Sequence, residues 1–422
     1  MKTLLVNGVR EMIPPYPNPK EYVYRCTEFF NYHGLLPFLR IGNFQLLKEM
    51  VRDSRHRCMV PRDILLDPTN ACNMHCLGCW AGEYENAAKL SYERWDELLR
   101  EAKELGTMDI LYTGGEPLMR KRELLALAEK HNRLFFGVFT NATLVDEAFV
   151  DEMERLGNIM LFISIEGYQE ETDFRRGKGA YERIIKTMHR LKDRGVAYGF
   201  SLCYHKQNYQ LLTSDEYLDF LREQGVWMGW AFGYRPIGRD ADLSLCLNAE
   251  ERLLAYERFQ DYSHRHSIPI IDLFNSGHKA LGCVGGGDGY LHINAAGDVE
   301  PCAFCHYSDA NINEMPLKQA LRSPFLRSFR REKPFTSNPF APCPAYDTPE
   351  AMVQLCEATG ACSSHASCPE SAEENEAKLS AISAEWQELT KDKSLWNSPQ
   401  EEKRYQRLQK CIRFMHRLAG DE

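Results

Sequence analysis

The chain has 422 residues, 44% of them hydrophobic and 26% charged, with a formal net charge of −9. It is long enough to bury a large core, as one catalytic domain with appendages, and its acidic balance argues against a nucleic-acid partner, because phosphate contacts need a basic face. No apolar run reaches the length of a membrane span and the first residues lack a signal peptide's apolar core, so the protein is expected in the cytoplasm.

In that reducing compartment the 15 cysteines are expected to ligate metal where they cluster, not to form disulfides. Residues 1–60 form a leader, locally greasy at Phe29, Phe30, Leu35, Leu36, Phe38, Leu39, Ile41, Phe44, Leu46 and Leu47 with Arg40 and Lys48 between them. Such a segment packs across a barrel, or lies on a membrane surface as a peripheral contact, or admits an apolar substrate.

Residues 61–240 alternate strand and helix. Six apolar runs read as buried strands, around 64–66, 110–112, 135–139, 160–163, 198–202 and 228–232. One intervening helix carries Trp95, Leu98, Leu99, Ala102 and Leu105 on one face behind Ser91 as N-cap, and another carries Ile184, Ile185, Met188 and Leu191 before Gly195. Alternating units of this kind make a parallel sheet with right-handed crossovers. Periodicity alone leaves a partly closed barrel and an open doubly wound sheet equally allowed, and both place the site at the carboxyl ends of the strands.

After the first strand comes Pro68-Thr69-Asn70-Ala71-Cys72-Asn73-Met74-His75-Cys76-Leu77-Gly78-Cys79-Trp80. Three close thiolates suit three corners of one cubane and leave its fourth iron open to a substrate. Zinc is the rival, with His75 as a fourth ligand. The second strand runs into Thr113-Gly114-Gly115-Glu116-Pro117, whose paired glycines let backbone approach a ligand closely.

The CxxxCxxC loop and the Gly-Gly-Glu-Pro turn resemble the signature of radical S-adenosylmethionine (radical SAM) enzymes. That resemblance implies an α/β fold, a partial (β/α)6 TIM-like barrel, with a [4Fe-4S] cluster on Cys72, Cys76 and Cys79. It also implies that Gly114, Gly115, Glu116 and Pro117 meet the methionyl amino group of S-adenosylmethionine. Thr140-Asn141-Ala142-Thr143, Ser164-Ile165-Glu166-Gly167 and Arg175-Arg176-Gly177 continue the likeness. They imply that Asn141 belongs to the cofactor pocket, that Ser164 approaches the ribose and that Arg176 pairs with the methionyl carboxylate, for which a planar guanidinium is suited. Many members carry an aromatic residue before the third cysteine; here it is Gly78, and Trp80 is expected to supply the adenine face. Tyr234, Pro236 and Gly238 resemble the family's strand-six end, with no role assigned.

Residues 241–370 carry Cys283, Cys302, Cys305, Cys343, Cys356, Cys362 and Cys368. The stretch from Cys283 through Gly297-Asp298 to Cys302 reads as a β-hairpin that brings its end thiols together, and it resembles the SPASM/twitch extension of radical SAM enzymes. The resemblance implies one auxiliary [4Fe-4S] cluster on Cys283, Cys302 and Cys343. The fourth ligand stays open among Cys305, Cys362 and Cys368, with Cys305 preferred because a CxxC pair chelates readily. Cys356, Cys362 and Cys368 are otherwise a zinc knuckle with His365, or packing. Residues 371–422 read as a helical cap bearing Trp386, Leu389, Leu395, Trp396, Tyr405, Leu408 and Ile412.

The chemistry implied is reductive cleavage of S-adenosylmethionine to a 5′-deoxyadenosyl radical that takes hydrogen from a substrate, with an external one-electron donor such as flavodoxin or ferredoxin. The substrate is read as a peptide or protein to be matured, or as a lipid or other apolar small molecule. From another class, the chain is a non-catalytic iron–sulfur or zinc scaffold. No side chain is named as acid, base or radical relay.

Overall fold

The computed structural model describes residues 41–82, 88–107, 109–266, 268–280, 282–391 and 399–420. The leader residues from Phe29 to Arg40, and Leu395 and Trp396, lie outside them, as do the side chains of Ile41, Phe44, Leu46, Leu47, Lys48, Leu408 and Ile412.

All six expected strands are present: β1 (Asp63–Leu66), β2 (Asp109–Tyr112), β3 (Phe135–Thr140), β4 (Ile159–Ser164), β5 (Tyr198–Tyr204) and β6 (Gly229–Gly233). They pair in parallel, each with the next, so their carboxyl ends share one edge. Apolar runs without alternation follow from burial on both faces. The helix Tyr92–Leu105 starts where Ser91 Oγ accepts from the Arg94 N–H, buries Trp95, Leu98, Leu99, Ala102 and Leu105, and stops at Gly106 with φ 100°. The helix Ala180–Asp193 likewise buries Ile184, Met188 and Leu191.

Beyond the six, β7 (Ile270–Asp272) pairs in parallel with β6, and β8 (Tyr290–Ile293) pairs in parallel with the free edge of β1. The expected hairpin forms when β8 turns through Gly297, φ 95°, into antiparallel β9 (Val299–Glu300). Among the described residues the strand order is β7-β6-β5-β4-β3-β2-β1-β8-β9. The hairpin of the second cysteine group is therefore built onto the barrel sheet itself.

The sheet is curled. Ile64, Leu66, Ile110 and Tyr112 join the core beneath the helices, while Leu65, Leu111, Phe139, Phe162, Trp230 and Phe232 pack together on the inner face. In a flat sheet β3 and β6 would stand about 14 Å apart, at about 4.8 Å per strand. Phe139 of β3 and Trp230 of β6 nevertheless bring their rings within 5.9 Å of one another. A partial barrel, and not an open sheet, meets that contact.

A second, smaller core holds Cys305, Phe325, Phe329, Met352, Leu355 and Cys356, with Cys283, Cys302 and Cys343 packed against it. The helix Ala372–Lys391 closes over Leu253 and Ala341 through Trp386, whose Nε1–H donates to Phe340 O at 2.9 Å. Among the described residues no helix is long and apolar enough to cross a membrane.

Candidate active site

The loop bearing Cys72, Cys76 and Cys79 leaves the carboxyl end of β1 and is held by backbone hydrogen bonds along its length. The Asp67 N–H donates to Ile293 O at 2.9 Å, that of Asn70 to Ala88 O at 3.1 Å, and that of Leu77 to Arg175 O at 2.9 Å. All three thiols are half-buried. Burial pushes the Cys72 thiol up to about 12, with Glu116, Cys79 and Cys76 adding to it. Burial raises Cys76 as well, against the pull of Arg176. The three sulfurs are thus close enough for their charges to act on one another, and metal binding would have to displace their protons. Gly78 adopts φ 61°, and a Cβ there would stand 2.9 Å from the Tyr234 ring. Tyr234, at the end of β6, fills the space that Gly78 leaves, whereas Trp80 turns toward the second cysteine group.

Gly115 and Glu116 lie directly against this loop, their N–H groups donating to Thr69 O at 3.0 Å and Ala71 O at 2.9 Å. A Cβ on Gly115 would fall 2.3 Å from Ala71 O, so only glycine permits this approach. Glu116 is buried and its carboxylate is fully engaged, accepting from the Leu118 N–H at 3.0 Å, Thr140 Oγ1 at 2.7 Å and the Asn141 N–H at 2.8 Å. Its side chain knits β2 to β3, and any contact with a ligand falls to the backbone around it. Asn141 reaches back to the cysteine loop, donating through Nδ2 to Asn73 Oδ1 at 2.9 Å. Gly114 and Pro117 complete this turn.

Ser164 ends β4, opposite Ser201 of β5. Two residues on, buried Glu166 takes both neighbouring arginines: Arg175 Nη1 at 2.6 Å, and Arg176 through Nη2 at 2.6 Å and through Nε. Burial alone would raise the Glu166 carboxyl, but Arg176 and Arg175 hold it below its ordinary value. Arg176 is thereby locked in orientation while Nη1 makes no hydrogen bond among the described residues. The sequence reading quoted Glu166 within a motif and missed this role, which requires seeing the buried acid beside its partners.

In the second group the N–H of Cys305 donates to Cys302 O at 2.9 Å, closing a tight CxxC turn. The Tyr290 hydroxyl donates to Cys302 Sγ. Burial pushes Cys302 up to about 12 and also raises Cys283, Cys305 and Cys343; the Cys283 charge acts on both Cys302 and Cys343, and those of Cys302 and Cys343 act on Cys305. Cys283, Cys302 and Cys343 all pack against the small core that holds Cys305. Cys305 also feels Cys356. Cys362 is exposed, and Cys368 lines a cavity of about 30 Å³ with Cys305, His306 and His365. Among the described residues no three His, Cys, Asp or Glu side chains gather as a site for a single metal ion.

An ionic knot joins the two cysteine groups. His292 of β8 is fully buried, its Nδ1 2.5 Å from Glu300 Oε2 and its Nε2 3.1 Å from Asp67 Oδ2. Glu300 also meets His306 at 3.3 Å and accepts from Ser364 Oγ at 2.5 Å. Trp80 covers this knot, its ring 5.9 Å from His292, 5.3 Å from Phe304 and 6.1 Å from His306. The tyrosines near strand ends are core residues: Tyr112 receives the Trp95 indole N–H at 3.1 Å, and Tyr204 donates to Asp272 at 3.0 Å.

Residues 66–226 match the radical SAM superfamily, and residues 283–345 match the SPASM iron–sulfur cluster-binding domain. The chain thus carries a radical SAM domain followed by an SPASM domain. A relative from Methanosarcina barkeri, Fe-coproporphyrin III synthase, is 32% identical over 39% of this chain and 41% of its own length. The chain therefore spans about two fifths of that relative. PqqA peptide cyclase of Granulibacter bethesdensis is 25% identical over 57% of this chain and 67% of its own. The crystal structure of Streptococcus suis SuiB bound to its precursor peptide SuiA shares the fold, with a TM-score of 0.55 at 20% identity, covering 65% of this chain and 67% of that one.

A radical SAM domain uses S-adenosylmethionine and a [4Fe-4S] cluster, and an SPASM domain binds further iron–sulfur clusters. The residues present fit both. The first loop offers three thiols beside a glycine cradle and the Arg176 guanidinium; the second offers four thiols packed about one small core.

Proposed function

We propose that this chain cleaves S-adenosylmethionine reductively and removes hydrogen from a bulky apolar substrate held between the two cysteine loops. The reading is supported by one arrangement: the backbone of the cysteine loop lies against Gly115, while Arg176, gripped by Glu166, is near enough for its charge to act on Cys76. When bound, the cluster and S-adenosylmethionine supply a 5′-deoxyadenosyl radical. The chain's own work is to hold and orient. Backbone from Gly114 to Pro117, with Asn141 and Ser164, lines the cofactor pocket, Arg176 Nη1 receives a carboxylate, and Tyr234 and Trp80 offer aromatic faces near the cysteine loop. Cys283, Cys302, Cys305 and Cys343 hold an auxiliary cluster, and a flavodoxin- or ferredoxin-like donor brings the electron. The inner face of Phe139, Phe162, Trp230 and Phe232 suits an apolar substrate and keeps water from the reacting centre.

Peptide maturation is the second reading, favoured by the similarity to PqqA peptide cyclase and to the SuiB fold. The test is anaerobic reconstitution with iron, sulfide and 5′-deoxyadenosine analysis of wild type and a Cys72→Ala/Cys76→Ala/Cys79→Ala variant. About eight irons in wild type against about four in the variant are expected, with cofactor cleavage in wild type alone. Wild type that binds zinc, or iron without cleaving the cofactor, would leave the scaffold reading in its place.

A further inference from the structure

Arg235 lies two residues beyond β6 and is only 7% exposed. Its guanidinium is sandwiched by two rings, with Cζ 4.0 Å from the centre of Phe274 and 3.3 Å from that of Tyr346. Among the described residues no ion pair or hydrogen bond reaches it, and Nε is buried without a partner. The acids nearby are committed elsewhere. Asp272 accepts from Tyr204 at 3.0 Å and from Asn275 Nδ2 at 2.8 Å, and Asp347 pairs with Arg252 at 2.7 Å. A buried cation lacking an anion is costly, and ring faces offset only part of that cost.

The position of this arginine is informative. On its own segment, Tyr234 covers Gly78, and a Cβ on Gly238 would meet Trp80 O at 2.5 Å, so the segment rests on the first cysteine loop. On the other side, Tyr346 follows Cys343 by three residues. Phe274 then continues an aromatic chain, 6.3 Å from Phe232 in the barrel bore and 4.9 Å from Phe304, which packs on Trp80 at 5.3 Å. With both faces capped, the guanidinium has only its N–H edge to offer, the geometry that a planar carboxylate fits.

We propose that Arg235 is a substrate-binding residue that receives a carboxylate carried by an apolar, aromatic-compatible substrate in the space between the two cysteine loops. The proposal rests on the reading that the substrate enters there. A fixed cation at one wall would orient an otherwise apolar ligand whose bulk the aromatic bore accepts without direction.

The test uses the reconstituted full chain with S-adenosylmethionine, titrated calorimetrically with 3-phenylpropionate and with its uncharged isostere 3-phenylpropanamide. Wild type is expected to prefer the acid by at least about tenfold, the scale of one charge-assisted hydrogen bond. Arg235→Gln should bind acid and amide equally. Should that variant not fold, Arg235→Lys decides, because lysine keeps the charge but not the stacked planar edge, and most of the preference should go. An N-acetyl dipeptide with a free C-terminus, run in parallel, separates the sources: a larger acid preference there assigns the carboxylate to a peptide end, a smaller one to a small molecule's side chain, and either supports the site. Equal binding of acid and amide by wild type, no binding of either at millimolar concentration, or a preference that survives both substitutions would overturn it. So would a shifted auxiliary-cluster potential in Arg235→Gln with acid binding intact, which would make Arg235 the cluster's counter-ion. Wild-type iron content and 5′-deoxyadenosine formation are read on the same preparation. Failure there sinks the radical reading and leaves the acid–amide comparison standing.

Discussion

Removing the cation from the knot at His292 should flatten the alkaline limb of the stability profile. Burial alone would lower this imidazole, but Asp67 and Glu300 overcome it and hold it up to about 10, against about 6.5 when unfolded. The folded state therefore keeps a proton that the unfolded state has lost. The resulting stability is fully present below about pH 6.5 and falls as pH rises toward about 10. At 1.36 kcal/mol per unit for one proton, wild type should lose about 2 kcal/mol between pH 7 and pH 9 from this group. In His292→Leu that loss should vanish. At pH 7 the variant should also be about 3–5 kcal/mol less stable, since Asp67 and Glu300 are left as buried charges. Anaerobic urea unfolding followed by tryptophan fluorescence at pH 7, 8 and 9 measures both. The difference between wild type and variant is what reports His292, because buried thiols such as Cys72, raised to about 12, add slope of the same sign to both once unfolded thiols ionise near about pH 8.5. A variant with the wild-type slope would refute the assignment of the proton to His292.

Three further outcomes follow from the first site. Gly115→Ala sets a methyl group 2.3 Å from a backbone oxygen that cannot step aside; it should cost about 1–3 kcal/mol and depress 5′-deoxyadenosine formation, and an unchanged melting temperature with full cleavage would contradict it. Glu116→Gln turns an amide N–H toward one of three donors now satisfied, with an expected loss of about 1–3 kcal/mol by thermal unfolding. Arg176→Lys breaks the two-point grip on Glu166 and should raise the KM for S-adenosylmethionine about tenfold, the scale of one charged hydrogen bond, as read from initial rates of cofactor cleavage.

What the sequence made legible was local. Ser91, Gly106 and the Trp95-to-Leu105 stripe announce their helix because capping and period are properties of neighbours in the chain. The same holds for the six strands and for the Gly297 turn of the hairpin. Pairing between distant segments was not legible: nothing in Tyr290–Ile293 signals that its partner is Asp63–Leu66, since the period is the same whichever strand lies alongside. The same limit applies to single residues. The spacing of Arg176 marked a position but not its grip on Glu166, only the fold decides that Tyr234 and not Trp80 covers Gly78, and Arg235 is conspicuous only once its missing anion is visible.

The parallel pairing of β8 with β1 bears on how two cysteine groups some 200 positions apart in sequence can serve one reaction. A domain tethered by a linker would leave their separation free to vary, and a substrate gap of variable width could not hold a reacting atom in place. Here the first cysteine loop follows Leu66 of β1, and Cys302 follows β9, whose partner β8 is the immediate neighbour of β1. The register Leu65↔His292 then brings His292 beside Asp67 and Glu300, so one buried ionic contact fastens the ends of all three strands. The distance between the loops is thus set by the hydrogen-bonded sheet, and the knot beneath Trp80 resists their sliding past one another. A perturbation of His292 should accordingly reach both cysteine groups at once, although it touches no thiol.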